Sequence, residues 1–273
     1  MYPLIYITST FSLPSYLLTI SLSYAFGLIW IVKRAQQRGF TRNLALDFSM
    51  LFMVTGFIGA RFTHVLFEAP DYYSEDPRKI FMFWNGGFVF YGGALFAFLS
   101  CLIFAKRRRV PFLTWLSIFA PVLSLGYIIG RVGCFMAGCC YGKECNLPWA
   151  VVFPAGVEAP AIVSRHPTQV YASLCEFLTL LVLLLLESRG RKASAQQRSQ
   201  PTQLLINQPG FLFFIWMIGH GIGRTIMEHF RADDRGPLFL ELSLGTWISI
   251  FIVICGFSGI LYLSKSLNVR RET

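Results

Sequence analysis

Charged residues are scarce in this chain of 273 residues, of which 14% are charged and 55% are hydrophobic. Soluble globular proteins contain about 25% charged residues, so this composition argues against a soluble fold and for a protein that lies in lipid. The chain also lacks any polar stretch long enough to form a soluble domain. We therefore predict a single membrane domain over residues 1–273.

The motifs of several enzyme classes are missing. The chain contains no H-E-x-x-H, Walker or G-x-S-x-G pattern, so its sequence gives no support to a metalloprotease, a nucleotide-binding enzyme or a serine hydrolase. It also has no visible internal repeat, which removes the inverted-repeat argument for a transporter. We expect no cofactor.

Seven apolar segments are long enough to cross a bilayer, since a spanning helix needs about 20 mostly apolar residues. They lie at residues 15–32, 44–67, 87–105, 112–130, 167–187, 211–230 and 243–263. The first is not expected to be a cleaved signal peptide, because no charged residue precedes it and Lys33 and Arg34 end it. The predicted fold class is an all-α polytopic membrane protein with seven transmembrane helices.

The net charge of +10 does not indicate a nucleic-acid partner, because the basic residues cluster after spans one, three, five and seven. The other loops hold acids, as in "EAPDYYSEDP" and "RADDRGP". Cytoplasmic loops carry such an excess of lysine and arginine. We therefore predict a multi-pass membrane protein with its amino terminus outside and its carboxyl terminus in the cytoplasm.

Two segments between the spans differ in composition. Residues 134–166 contain several prolines and the stretch "PWAVVFP", which reads as a short strand, so we predict a small head on the outer side with short strands. Residues 188–208 are polar and low in complexity, which predicts a flexible cytoplasmic loop.

Four cysteines in the predicted head have the spacing C-x4-C-C-x4-C, at positions 134, 139, 140 and 145. This spacing lacks the C-x2-C pair of a zinc site, so no metal is predicted. Disulfides are permitted on the outer side of a bacterial membrane, and we predict at least one. A bond from Cys139 or Cys140 to Cys145 would close a short loop, and packed free thiols are the alternative.

Ionisable side chains near the outer ends of the spans form the candidate site. Arg61, Arg131, Arg224 and Glu228 are costly within a bilayer, and such residues are functional by default. A guanidinium group suits a phosphate, and the outer leaflet contains anionic phospholipid, so we predict a site for a lipid phosphate. The alternative is that each arginine reaches the interface or pairs with a nearby glutamate.

The motifs around these residues resemble those of the bacterial prolipoprotein diacylglyceryl transferases. The family signature G-R-x-G-N-F-x-N-x-E-x-x-G is matched at Gly130, Arg131, Gly133, Phe135 and Gly142. Further resemblances are "SRHPTQVY", "GIGRTIMEHFR", "LSLGTWISI", "GARFTHVLF" and "WNGGFVFYGG". They follow the family order over most of the chain.

The resemblance implies a fold with seven spans, a place in the bacterial cytoplasmic (inner) membrane, and a reaction. The family moves the diacylglyceryl group of phosphatidylglycerol to the thiol of a lipobox cysteine in the signal peptide of a prolipoprotein, which forms a thioether and releases glycerol phosphate. Carried over by position, the catalytic candidates are Arg131, Arg224, Tyr91 and Cys134. The substrate-binding candidates are Tyr16, Arg61, Gly92, Gly93, Gly142, His166 and Glu228.

Several positions depart from the family pattern. Tyr91 stands where the family has a catalytic histidine, and Cys134, Ala137 and Cys139 replace the two asparagines and the glutamate of the signature. His64, His166 and His220 are candidates for the base that Tyr91 does not supply. The alternative is an ordinary interface role for His64 and His220, which is the usual role of a lone histidine, and a role at the start of a helix for His166. Two alternative functions therefore stay open: a divergent paralogue with the same lipid donor and another acceptor, and a non-catalytic lipid-binding protein.

Overall fold

The described part of the protein is mainly helical. The structure is a computed structural model that describes residues 3–6, 12–83, 86–195, 201–233 and 239–272. Its long helices are α1 (Ser15–Gln37), α2 (Arg42–Thr63), α4 (Phe90–Arg108), α5 (Phe112–Ala137), α6 (Thr168–Ala195), α8 (Phe211–Phe230) and α9 (Leu244–Glu272). Two short helices are α3 (Pro70–Glu75) and α7 (Pro201–Ile206), and a π-helical turn (His64–Glu68) and a 3₁₀ turn (Pro77–Phe81) flank α3.

The long helices confirm the predicted membrane fold. Within the described residues, six helices are long and apolar enough to cross a bilayer, namely α1, α2 with its π-helical turn, α4, α5, α6 and α9. The remaining predicted span coincides with α8, a helix of 20 residues that carries His220, Arg224, Glu228 and His229. Several helices continue beyond the predicted spans, because their basic carboxyl-terminal ends are also helical.

The strands are short and lie outside the long helices. The strands β1 (Leu4–Tyr6) and β2 (Ser12–Pro14) pair antiparallel. In the predicted head, β3 (Val151–Val152) pairs antiparallel with β4 (Ser164–Arg165), which confirms the strand expected from "PWAVVFP". The segment predicted as a flexible cytoplasmic loop is helical at residues 188–195 and 201–206, and its residues 196–200 lie outside the described ones.

The chain divides into two compact units, and the boundaries fall inside α1 and next to the start of α5. The small unit comprises residues 31–115 and is built on α2 and α4. These helices approach closely at glycines: a Cβ atom added to Gly93 would lie 2.7 Å from the Gly56 carbonyl oxygen, and one added to Gly92 would collide with Thr63. Gly92 and Gly93, which the resemblance gave as substrate-binding candidates, thus allow a close contact between helices.

The large unit comprises residues 1–30 and 116–273. Its core lies among α5, α6, α8 and α9, at Ala120, Leu183, Phe211, Leu212 and Leu263. At the start of α9 the Ser243 hydroxyl accepts a hydrogen bond of 3.2 Å from the Thr246 amide. Serine is a preferred residue at this position because it satisfies one of the free amides of the first turn.

Candidate active site

Arg131 lies in α5 about two turns before the helix ends, and it is half-buried. Its guanidinium carbon is 4.8 Å from the centre of the Tyr127 ring. Within the described residues this guanidinium donates no hydrogen bond, although a guanidinium has five N–H donors. Donors that no described residue uses are available to an anion, for which a guanidinium is well suited.

Arg224 lies on α8, and its single described ion pair is with Glu228 one turn further along the helix. The Nη2–Oε2 distance is 3.2 Å, and the two side chains are 11% and 10% exposed. The other oxygen of Glu228 accepts a hydrogen bond of 2.6 Å from the Ser243 hydroxyl. Ser243 therefore links the end of α8 to the start of α9 and fixes the carboxylate beside Arg224.

Arg231, which the sequence analysis did not select, adds a third guanidinium to this region. It follows α8 and is held by Asp233, with an Nε–Oδ1 distance of 2.8 Å. Burial lowers the pKa of Arg231, but the hydrogen bond to Asp233 and nearby negative charges raise the pKa above its ordinary value. The charges of Arg131 and Arg231 both act on Arg224. Three guanidinium groups and two carboxylates leave one excess positive charge.

Three cysteine thiols lie next to these arginines. The Sγ atoms of Cys134, Cys139 and Cys140 are within 4.8 Å of one another. All seven cysteines of the chain are free thiols, so the predicted disulfide is wrong: the chain turns Cys139 and Cys140 towards Cys134 and not towards Cys145. Hydrogen bonds from the other two thiols lower the pKa of Cys140, burial opposes this effect, and the charges of Arg231 and Arg131 lower the pKa further.

Tyr16, the first-span candidate, belongs to the same region. Its hydroxyl interacts electrostatically with Arg131 and with the three clustered cysteines. The approach of α1 to α5 depends on Gly133, because an added Cβ atom would lie 3.3 Å from the Tyr16 ring and would collide with Thr19. The structure thus brings together Tyr16, Arg131, Cys134, Arg224 and Glu228 of the predicted site.

A buried carboxylate, Glu176, was missed by the sequence analysis. It lies on α6, is 3% exposed, and accepts hydrogen bonds from Ser124 (2.7 Å) and Trp216 (3.0 Å). Its second oxygen is 2.7 Å from Nδ1 of His220. The His220 ring lies edge-on to Tyr127, with centroids 4.8 Å apart, and Tyr127 is the residue under Arg131. An acid in the middle of an apolar span was the signal available in the sequence.

Arg61 belongs to the small unit, and its surroundings differ. Its guanidinium donates hydrogen bonds to the carbonyl oxygens of Lys79, Ile80, Met82, Gly86 and Gly87. Gly87 has a φ of +80°, and a Cβ atom there would lie 2.5 Å from the His64 ring. His64 itself pairs with Glu68 at 2.7 Å, and this glutamate is 57% exposed. The geometry indicates that Arg61 organises the loop before α4.

The remaining predicted residues lie in packed surroundings. Tyr91 is half-buried in the first turn of α4 and, like Gly92 and Gly93, belongs to the small unit. An added Cβ atom on Gly142 would lie 2.5 Å from the His166 carbonyl oxygen, so this glycine allows two segments of the head to meet. The His166 ring is 3.3 Å from the Tyr171 hydroxyl and packs on Phe230.

Comparison with known proteins identifies the family. The family model described as "Prolipoprotein diacylglyceryl transferase" matches residues 3–262. The chain belongs to this family. The phosphatidylglycerol–prolipoprotein diacylglyceryl transferase of Nitrosomonas europaea is 34% identical over 262 residues, which cover 94% of this chain and 86% of that protein. The second such transferase of Clostridium perfringens is 31% identical and covers 95% of this chain and 93% of its own length.

A third relative extends the comparison within the diacylglyceryl transferases. The Clostridium tetani protein of the same name is 30% identical over 237 residues, or 87% of this chain and 88% of that protein. The resemblance in the sequence is confirmed by these matches. Against the family signature, two of the departures, Cys134 and Cys139, are members of the thiol cluster beside Arg131.

Proposed function

We propose that this diacylglyceryl transferase family member moves the diacylglyceryl group of phosphatidylglycerol to the thiol of a lipobox cysteine in a prolipoprotein signal peptide. The products are a thioether and glycerol phosphate. The observation that carries the site assignment is the guanidinium of Arg131 in α5, which donates to none of the described residues and whose charge acts on Arg224 of the Arg224–Glu228 pair. The family membership and the names of the relatives support the reaction.

The net charge of the region is opposite to that of the lipid substrate. The phosphodiester of phosphatidylglycerol carries one negative charge, and the three arginines with Glu228 and Asp233 leave one excess positive charge. During transfer the bond from the glyceryl carbon to the phosphate oxygen breaks, and its electron pair stays on that oxygen. The phosphate therefore gains negative charge, and donors directed at growing charge stabilise the transition state most.

The acceptor thiol has to lose its proton, because a free cysteine thiol has a pKa of about 8.5 and the thiolate is the nucleophile. Tyr91, in the place of the family histidine, is a poor base near neutral pH. We assign the base to His220: its Nδ1 donates to Glu176, which leaves Nε2 to accept the thiol proton while sulfur attacks the glyceryl carbon. Among the three candidate histidines, His220 alone has a buried carboxylate partner in the unit that contains Arg131.

The proposed orientation places this site at the outer leaflet. The basic residues at the carboxyl ends of α1, α4 and α6 are expected in the cytoplasm, and residues 70–80 and 143–165 outside. Single-cysteine variants in intact cells test this orientation with a labelling reagent that does not cross the membrane. Protection of both segments would contradict it.

Complementation tests the activity. In a strain depleted of its own transferase, this chain is expected to restore growth and the lipid modification of a reporter lipoprotein. A purified assay with phosphatidylglycerol and a lipobox peptide then establishes the acceptor. Failure in both experiments, with normal amounts of protein in the membrane, would contradict the proposed reaction.

A further inference from the structure

The cluster of Cys134, Cys139 and Cys140 has no role in the transfer step proposed above. Its three Sγ atoms lie within 4.8 Å of one another, and all three residues are half-buried. Around a tetrahedral zinc ion with zinc–sulfur bonds of about 2.3 Å, two sulfur atoms are about 3.8 Å apart. The cluster therefore needs a shift of no more than about 1 Å to surround one cation.

The backbone at the end of α5 creates this arrangement. Gly138 has a φ of +74° and Cys140 a φ of +61°, and the Cys139 amide donates to the Cys134 carbonyl at 3.2 Å. The left-handed conformation is unfavourable for a residue with a Cβ atom, so its use at Cys140 requires support from the surrounding structure. This turn brings the two later thiols back to the first.

The start of α6 supplies that support. The Gln169 side chain donates to the Cys139 carbonyl at 2.6 Å, and the Thr168 hydroxyl donates to the Cys140 carbonyl at 2.7 Å. Both side chains are buried, at 1% and 3% exposure. The Gly138 carbonyl in turn accepts from the Ala159 amide at 3.1 Å. Fixed partners of this kind hold metal ligands in place in known sites.

The three sulfur ligands and the nearby charges indicate which kind of cation the cluster would bind. The cluster contains no carboxylate or imidazole, so it suits soft or borderline transition metals and not Mg²⁺ or Ca²⁺. The positive charges of Arg131 and Arg231 both act on Cys140, so this part of the cluster lies in surroundings that suit a thiolate ligand. Although the cysteine spacing predicted no metal, we propose that Cys134, Cys139 and Cys140 are a three-thiolate site for a thiophilic cation, of which Zn²⁺ is the one expected. Three protein ligands leave the fourth tetrahedral position open, as in catalytic zinc sites.

Cobalt titration tests the proposal without reference to transfer activity. The full chain is purified in detergent with a reductant, its thiols are counted by alkylation, and Co²⁺ is added. We expect a thiolate-to-cobalt charge-transfer band that saturates at one Co²⁺ per chain and disappears when Zn²⁺ is added. Cys145→Ser, in the same head but outside the cluster, should bind Co²⁺ as the parent does.

Cys139→Ser and Cys140→Ser, tested separately in case one of them does not fold, are each expected to weaken Co²⁺ binding by at least about tenfold. Three results would overturn the proposal. They are a parent with all its thiols free and no charge-transfer band, a band that both variants keep at full strength, and a disulfide within the cluster that survives the reductant. The readout is metal binding, so its failure is distinct from failure of the proposed transfer reaction.

Discussion

Arg61 and Arg131 both lie near the ends of apolar helices, but their guanidinium groups have opposite surroundings. Five backbone carbonyls accept hydrogen bonds from Arg61, so its donors are used by the protein itself. Arg131 lies over an aromatic ring and, within the described residues, donates to no oxygen. A charge in an apolar helix can thus serve either the fold or a ligand, and the use of its donors distinguishes the two.

The histidines repeat this comparison and give the largest expected effect. His64 and His220 each lie 2.7 Å from a glutamate, but Glu68 is exposed and Glu176 is buried. His220→Gln is expected to slow transfer by about 100- to 10,000-fold, the usual contribution of a general base. His64→Gln is the matched control and should change the rate little. The measurement is the initial rate with a lipobox peptide at equal amounts of folded enzyme. If both variants lost the same fraction of the transfer rate, His220 would not be the base.

Arg61→Ala tests the other half of the comparison. A hydrogen bond to a charged group contributes about 1.5–3 kcal/mol, so the loss of five donors should lower the free energy of unfolding by at least that amount. Thermal unfolding in detergent measures the change. The activity of each remaining folded molecule should stay close to that of the parent. Unchanged stability together with lost activity would place Arg61 in the substrate site after all.

A smaller effect is expected on metal binding when a residue that holds the backbone of the thiol cluster is replaced. Gln169→Ala removes the donor to the Cys139 carbonyl and leaves all three thiols in place. Loss of such a partner weakens metal binding by roughly 10- to 100-fold, and we expect that shift in a cobalt titration. Thr179→Ala, further along α6, is the control, because the Thr179 hydroxyl donates to the Cys175 carbonyl within the same helix. Parent-like affinity in Gln169→Ala would show that the turn at Cys140 is held by other contacts.

Arg78→Ala should have the smallest effect. Its side chain is exposed, and the described hydrogen bond of this residue comes from its backbone amide to Asp76. Exposed substitutions of this kind usually change stability by no more than about 0.5 kcal/mol. Transfer rate and unfolding temperature should both equal those of the parent. A large loss of rate would mean that arginines outside the proposed site also contact the substrates.

The spans were predictable because a bilayer needs a run of apolar residues of fixed length, and such runs are local in the sequence. The strand at Val151 was also local. The role of Arg61 could not be predicted from the sequence, because the carbonyl groups that accept its hydrogen bonds lie 18 to 26 residues away in a loop with no recognisable pattern.

Within the candidate site, the sequence motifs selected Arg131, Arg224 and Glu228 but did not reveal which residues contact them. Ser243 reaches Glu228 from the start of another helix, and Glu176 meets His220 from across the helix bundle. The thiol cluster depends on a positive φ at Cys140, which residue spacing does not reveal. The expected pairing with Cys145 was wrong for that reason.

The most direct test of the phosphate site compares Arg131→Lys with Arg61→Lys in transfer from phosphatidylglycerol to a lipobox peptide, at matched amounts of folded protein. Lysine keeps the charge but not the planar fork of donors. Arg131→Lys should unfold at the parent temperature and transfer about 100- to 1000-fold more slowly, the usual effect of removing one such donor. Arg61→Lys should lose stability and keep its rate per folded molecule. If Arg131→Lys transferred at the parent rate, Arg131 would not hold the lipid phosphate, and the proposed site would be wrong.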